Sequence, residues 1–196
     1  MKYETKPISA ILRSNNTVFT FKDVALIWGN TNKITTISSV NYYIKTGQLY
    51  RIRKGIYAKN EHYNKLEFAT KLYPPAYISL ETVLRQTGVI FQYYSQIFVV
   101  SYLTRQLEVD KQKYVYRRIK EQILTNQLGL VKKDNYFIAD KERAFLDMLY
   151  LRKNFSFDNL SSINWASCFV IAKIYENKTL IKKLNSYYKD YKYVRT

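Results

Sequence analysis

The sequence predicts an α+β protein, in which three helices and a basic hairpin precede a mixed α/β domain that ends in helices. Three observations support this prediction. Apolar residues recur at helical spacing on both sides of a Gly-Asn pair at residues 29 and 30, an alternating basic segment follows at residues 49–58, and the pattern changes near His62. With 196 residues and 47% hydrophobic content, the chain can form one core of normal size or two small ones, and the change of pattern near His62 favours two. We therefore predict domains at residues 1–62 and 63–196.

The first two helices are predicted from their apolar spacing and their ends. Residues 8–13 begin a helix whose inward residues would be Ile8, Ile11 and Leu12. Thr20 can then cap a second helix over residues 21–28, with Asp23 near its positive N-terminal end. Gly29 and Asn30 end that helix, because both residues adopt the left-handed conformation that helix termini use.

The third helix is predicted from about Thr35 or Thr36 to Thr46, with Gly47 as the left-handed residue after it. Its buried stripe is expected to consist of Ile37, Val40 and Ile44. At about 100° per residue, other side chains then point away from that stripe or lie on its flanks. Those pointing away are Thr35, Ser38, Tyr42 and Lys45, and those on the flanks are Ser39, Asn41 and Thr46.

A short basic hairpin completes the N-terminal pattern. Residues 49–53 alternate apolar and basic side chains, Lys54 and Gly55 form a turn, and residues 56–58 return as a strand. A helix, a turn, a second helix and a basic hairpin, in this order, are typical of a winged helix-turn-helix, which binds duplex DNA.

Each part of this pattern has side chains suited to DNA. Hydroxyls, amides and amines exchange hydrogen bonds with base edges, and arginine and lysine bind phosphates. We expect the groove-entering residues to be Ser38, Ser39, Tyr42 and Lys45, with Thr35 and Asn41 at the margins. The hairpin residues expected on phosphates or in the adjacent minor groove are Arg51, Arg53 and Lys54.

The charge balance favours a polyanionic partner. The chain has 32 Lys and Arg against 15 Asp and Glu, a formal charge of +17. A second basic cluster near the C-terminus would extend the DNA contact or form a solvated helix face; it comprises Lys178, Lys182, Lys183, Lys189, Lys192 and Arg195. Two alternatives stay open: an RNA-binding or nuclease-like effector, given the charge and the 16% aromatic content, and a scaffold that docks proteins.

The second domain is predicted to be mixed. Strands are expected at residues 76–78, 97–101 and 136–139, while residues 114–119 form either a strand or the start of a helix-like segment. Helices are expected at residues 66–72, 80–87, 141–151, 164–175 and 179–191. Ser79 and Asp140 are predicted to cap the helices that follow them.

The residues associated with catalysis or metal binding are sparse, so we expect no enzyme, cofactor or metal site. His62 is the single histidine, and none of the five glycines belongs to a phosphate-binding loop. The acidic residues Asp140, Glu142 and Asp147 are interpreted as a helix cap, a first-turn acid and a partner of Arg143 or Lys141. Cys168 is expected to be buried.

The sequence also predicts a cytoplasmic protein without a membrane partner. No apolar run approaches the length that spans a bilayer, and residues 1–16 contain no hydrophobic core of a signal peptide.

Three segments together resemble a known family. They are residues 47–58 (GQLYRIRKGIYA), residues 75–82 (PAYISLET) with Gly88, and residues 136–147 (YFIADKERAFLD). In this order and spacing they resemble the AbiEi antitoxins of bacterial type IV toxin–antitoxin (abortive infection) systems, over nearly the whole chain. The resemblance implies a winged helix that represses its own operon at inverted repeats in duplex DNA. It also implies a C-terminal domain that counteracts a nucleotidyltransferase-like toxin, with no stable complex between the two proteins.

Overall fold

The computed structural model describes residues 7–30 and 32–193. Over these residues the protein is α+β, and its helices and strands divide into two compact units. The first unit ends at Leu72 and the second begins at Tyr73. Each unit has its own sheet.

The first unit combines four helices with a small antiparallel sheet over its described residues. In chain order its elements are α1 (Pro7–Arg13), β1 (Val18–Thr20), α2 (Phe21–Ile27), α3 (Lys33–Lys45), β2 (Tyr50–Arg53), β3 (Ile56–Ala58) and α4 (Lys65–Leu72). The strand order is β1-β3-β2, so β3 is central. Apolar residues from the first three helices, the sheet and the position before β2 form one core: Ile8, Ile11, Phe19, Val24, Val40, Tyr43, Leu49 and Tyr57. Leu12, predicted to pack there, is exposed instead.

Helix α4 explains why the division lies beyond residue 62, where the sequence placed the domain boundary. The buried Glu67 carboxylate accepts hydrogen bonds from the backbone N–H and the hydroxyl of Thr17, at 2.9 and 2.6 Å. Lys71, one turn later, donates to the carbonyl of Val18. These contacts attach α4 to the segment that leads into β1, so α4 belongs to the first unit.

The second unit combines a six-stranded mixed sheet with helices. Its elements are β4 (Ala76–Ile78), α5 (Glu81–Gln86), β5 (Ile97–Ser101), β6 (Arg105–Val109), β7 (Gln112–Arg118), α6 (Glu121–Leu124), β8 (Leu130–Lys133), β9 (Tyr136–Ala139), α7 (Lys141–Leu151), α8 (Trp165–Ala172), a 3-10 turn (Lys173–Tyr175) and α9 (Lys178–Tyr193). The strand order is β6-β7-β5-β4-β9-β8. The pairs β4/β9 and β5/β7 are parallel, and the other neighbours are antiparallel.

The centre of the second unit contains a buried ion pair on α7. Arg143 and Asp147 are both fully buried, one helical turn apart, with Nε of the arginine 3.4 Å from the carboxylate. Arg143 also donates to the carbonyls of Ile123 and Leu128, each at 2.7 Å. Burial alone lowers the pKa of Arg143, but the neighbouring Asp147 carboxylate raises it above its ordinary value. Burial raises the pKa of Asp147, and the Arg143 guanidinium and hydrogen-bond donors oppose this rise, so the carboxylate depends on these partners to carry its charge inside the fold.

The hydrogen bonds to Asp147 show that the cap predicted at Ser79 was wrong. Ser79 does not cap α5, because its hydroxyl donates to the Asp147 carboxylate at 2.8 Å. Leu80 occupies the cap position without a side-chain hydrogen bond and has a φ of 56°. The Asp140 cap is confirmed, since its side chain accepts the backbone N–H of Arg143 at 2.7 Å.

Candidate functional site

Helices α2 and α3 are consecutive and each has a defined start. Thr20 and Asp23 form the reciprocal cap of α2: the Thr20 hydroxyl accepts the Asp23 N–H at 3.1 Å, and the Asp23 carboxylate accepts the Thr20 N–H at 2.9 Å. Gly29 ends the helix with a φ of +60°. Asn32 caps α3 by accepting backbone N–H groups, so α3 begins at Lys33, about two residues earlier than predicted.

The buried face of α3 differs from the predicted one. Thr36, Val40 and Tyr43 are buried, whereas Ile37 is 41% exposed. Thr36 can be buried because its hydroxyl donates to the carbonyl of Asn32 at 3.0 Å, which satisfies the polar group within the helix. The predicted stripe of Ile37, Val40 and Ile44 was therefore wrong at Ile37, and Ile44 is only partly buried.

Because Thr36 rather than Ile37 faces the core, the residues at the centre of the outer face of α3 also differ from the prediction. Taking about 100° per residue, Ser38, Asn41 and Lys45 lie opposite the buried side of α3. All three are exposed, as are Thr35 and Tyr42 beside them. Ser39 is half-buried and lies toward the core. Asn41, predicted at the margin, thus takes the central position that had been expected for Ser39.

The hairpin after α3 brings more cations to the first unit. Strands β2 and β3 join through Lys54 and Gly55, with Gly55 at a φ of +80°, as the sequence predicted for this turn. The pairing has a bulge between Arg51 and Arg53. Arg51 and Lys54 are exposed, and Arg53 is half-buried.

One hydrogen bond links the hairpin to α3. The Nη2 atom of Arg51 donates to the Oδ1 atom of Asn41 at 2.6 Å, between two exposed side chains. Because Asn41 lies at the centre of the outer face, this bond aligns the start of the hairpin with that face. The bond therefore places the arginine of β2 beside the polar residues of α3. We call these exposed residues, together with the lysine of the turn after β2, the α3–hairpin face: Thr35, Ser38, Asn41, Tyr42, Lys45, Arg51 and Lys54.

The α3–hairpin face has a single sign of charge. From Lys33 to Ala58 the chain contains five basic side chains and no acidic one. Within the described part of the chain, none of these five forms an ion pair. Unpaired cations that share a surface with hydroxyls and amides are the combination that phosphates and base edges require.

Sequence analysis missed an apolar component of this face. Ile34 is 77% exposed and Ile37 is also exposed. The missed signal was the cap at Asn32, because a helix that begins at Lys33 places Ile34 close to Lys45 and Asn41 on the helical wheel. Exposed isoleucines between polar residues can make the apolar contact with a thymine methyl group.

The acidic residues and the cysteine of the second unit have structural surroundings. Asp140 caps α7, Glu142 lies in its first turn and Asp147 pairs with Arg143, as predicted. Glu142 also accepts the N–H of Asn164 at 2.9 Å. Among the described residues, no group of three or more His, Cys, Asp or Glu could hold a metal ion. Cys168 is buried as predicted, and burial raises the pKa of its thiol.

No protein-family model matches the chain, and no curated protein matches its sequence at a significant level. Within residues 7–30 and 32–193, no helix combines the length and the apolar character needed to cross a bilayer.

Proposed function

We propose that the first unit is a winged helix-turn-helix that binds duplex DNA through the α3–hairpin face. The observation that carries the proposal is the Arg51–Asn41 hydrogen bond, which joins the hairpin to the centre of the outer face of α3. The element order α1, β1, α2, α3, β2, β3 and the absence of acidic residues from 33 to 58 add support.

The proposed binding mode follows from the length and chemistry of α3. Its 13 residues span about 20 Å, enough to lie along a major groove. Ser38, Asn41 and Tyr42 would contact base edges, and Lys45 a phosphate or a guanine. Arg51 would either release Asn41 and bind a phosphate, or keep its hydrogen bond to Asn41, which would then orient the asparagine side chain. Lys54 would contact the phosphate backbone beside the groove.

We further propose that the chain is an antitoxin similar to the AbiEi family, which represses its own operon and counteracts a nucleotidyltransferase-like toxin. The support is the resemblance of residues 47–58, 75–82 and 136–147 to that family. The first segment contains β2, the Lys54–Gly55 turn and β3, which is the hairpin of the α3–hairpin face. Because the antitoxin and the toxin of such a system both act in the bacterial cytoplasm, we propose that this protein functions there.

A binding assay with promoter and scrambled duplexes tests the DNA proposal. Lys54→Ala should weaken binding to both duplexes and lower the salt slope by about one unit, because one phosphate contact is lost. Tyr42→Ala should reduce the preference for the promoter by about 1–3 kcal/mol if it contacts a base. Lys132→Ala, an exposed cation of β8 in the second unit, is the matched control and should leave the slope nearly unchanged.

Two results would contradict this assignment. Equal effects of Lys54→Ala and Lys132→Ala would mean that net charge alone drives binding. Tighter binding to structured RNA than to either duplex at physiological salt would favour the RNA-binding alternative.

The antitoxin proposal needs a separate assay. A promoter-reporter strain should lose repression with Tyr42→Ala, while the same variant should still rescue growth when the neighbouring toxin gene is expressed. If Tyr42→Ala abolishes both repression and rescue, repression and toxin neutralisation are not divided between the two units.

A further inference from the structure

The second unit contains an open cavity of about 700 Å³ at one end of its sheet. This volume lies in the range of small-ligand pockets. Strands β5 and β7 are parallel neighbours, so their carboxyl ends meet at the same edge. Tyr102 directly follows β5, Arg118 is the last residue of β7, and both line the cavity. Open sheets with parallel strands commonly bind ligands outside the carboxyl ends of those strands, which is where this cavity lies.

The strand register gives the direction of the Arg118 side chain. Arg118 pairs with Ser101 on β5, and residues in register point to the same face of a sheet. The Ser101 hydroxyl donates to the carbonyl of Pro75 at 3.2 Å, and Pro75 lines the cavity. The Arg118 side chain therefore leaves the sheet on the side where the cavity lies.

Lys120 adds a second cation on that side. The N–H of Ile119 donates to the carbonyl of Ser101 at 3.1 Å, so the extended chain continues beyond β7, and Lys120 is itself extended. Side chains alternate along an extended chain, and accordingly Ile119 is buried whereas Arg118 and Lys120 are both exposed. Both cations line the cavity, and within residues 7–30 and 32–193 neither forms an ion pair. Their charges are therefore available to a ligand.

Two tyrosines and one acid also line the cavity. Tyr102 is exposed, and Tyr150, near the end of α7, is half-buried. The Tyr150 ring packs against the ring of Tyr175 at 5.4 Å between centroids, which holds it in place. Glu121 is the one acid among the described residues that line the cavity, so two cations against one acid leave an excess of positive charge. The cavity thus combines cations with rings that can contact a planar group.

We propose that this cavity binds a nucleoside monophosphate. The phosphate of such a ligand carries about −1.5 to −2 charges at pH 7, which Arg118 and Lys120 together would neutralise. The arginine would bind two phosphate oxygens at once, and the lysine would act as a point charge beside them.

A phosphate ion would fill only a small part of the volume, so the base and the sugar of the ligand account for the rest. The base would pack on the ring of Tyr102 or Tyr150, and the Glu121 carboxylate would accept hydrogen bonds from the sugar hydroxyls. This proposal involves only the second unit and does not depend on duplex binding by the first.

Isothermal titration calorimetry of the full chain with the four ribonucleoside monophosphates tests the proposal at physiological salt. At least one of them should bind, and Arg118→Gln and Lys120→Gln should each weaken its binding about tenfold or more, because each removes a charged partner of the phosphate. Tyr102→Ala should weaken binding about fivefold or more if the base stacks on that ring. Lys113→Gln is the matched control and should leave the affinity unchanged, since it makes the same charge change at an exposed residue near the other end of β7 that does not line the cavity.

A ligand series separates the nucleotide from its parts. Inorganic phosphate and the matching nucleosides should each bind about tenfold more weakly than the best nucleotide, because each keeps only one part of the contacts. Inorganic phosphate that binds as tightly as the nucleotides would show that the base contributes nothing and would overturn the proposal.

Three other results would also overturn it. They are the absence of binding to all four nucleotides, equal weakening by Lys120→Gln and Lys113→Gln, and a loss of duplex binding in Arg118→Gln and Lys120→Gln while no nucleotide binds, which would assign the two cations to a DNA surface. Both variants change exposed side chains and should fold, and thermal unfolding of each variant checks this.

Discussion

Removing the hydroxyl of Tyr175 should destabilise the second unit far more than the loss of one surface oxygen would. Its hydroxyl donates to Oδ1 of Asp147 at 2.7 Å, and both residues are fully buried. Two further hydroxyls donate to the same carboxylate, from Tyr77 at 3.1 Å and from Ser79 at 2.8 Å. The change Tyr175→Phe therefore removes the shortest of three hydrogen bonds to a buried charge.

The expected cost follows from that geometry. A hydrogen bond to a charged group contributes about 1.5–3 kcal/mol, and the upper half of this range applies because both residues are fully buried. Burial raises the pKa of the Tyr175 hydroxyl well above its ordinary value, with Asp147 adding to the effect. The hydroxyl thus keeps its proton at every pH suitable for the assay. Burial also raises the pKa of Asp147, so the cost should fall as the pH is lowered and the carboxylate takes up a proton.

Urea unfolding measures this cost in the full chain. The chain has two tryptophans, so a Trp28→Phe background leaves Trp165 as the reporter of the second unit. Tyr102→Phe is the control, since Tyr102 is 48% exposed and its loss should change the free energy of unfolding by less than about 0.5 kcal/mol. If Tyr175→Phe costs no more than Tyr102→Phe, the carboxylate does not depend on its hydroxyl donors and the reasoning fails.

Three further predictions concern other positions. Gly129→Ala should destabilise the protein more than Gly55→Ala in urea unfolding: both have positive φ, but only at Gly129 would the new Cβ lie 2.8 Å from Cβ of Arg143. Cys168 should resist a thiol reagent in the native protein at pH 8 and react fully after unfolding, because burial raises its pKa. Asn32→Ala should lower stability by about 1 kcal/mol, measured through Trp28 fluorescence, because α3 loses its cap.

Local chemistry made much of the fold predictable. The caps at Thr20 and Asp140 and the left-handed Gly47 depend on residues within about one helical turn, and all three are confirmed. Strands β1, β6 and β8 were not predicted. β1 has only three residues, and β6 and β8 are edge strands whose exposed side chains lack the apolar alternation of a buried strand.

The error on α3 has a specific physical origin. An apolar stripe was assigned to Ile37 because isoleucine is usually buried and threonine is usually exposed. Thr36 reverses this expectation, since its hydroxyl is satisfied by the carbonyl of Asn32 before it enters the core. Recognising Asn32 as a cap would have placed the start of α3 correctly. Which side of α3 faces the core would still have been unknown, because it depends on tertiary contacts of Tyr43, such as its ring contact with Trp28.

The α3–hairpin face and the cluster of hydroxyls around Asp147 differ in how much of each can be predicted from the sequence. Every residue of the α3–hairpin face lies within a segment of 20 positions, 35 to 54, so helical and hairpin periodicity alone bring these residues together. The Asp147 cluster instead collects hydroxyl donors from two distant segments, Tyr77 and Ser79 from one and Tyr175 from the other. These hydroxyls meet at one carboxylate only in the folded second unit, and no local pattern encodes that arrangement. A sequence can thus indicate a surface made from one segment, whereas a cluster assembled from distant segments is visible only in the structure.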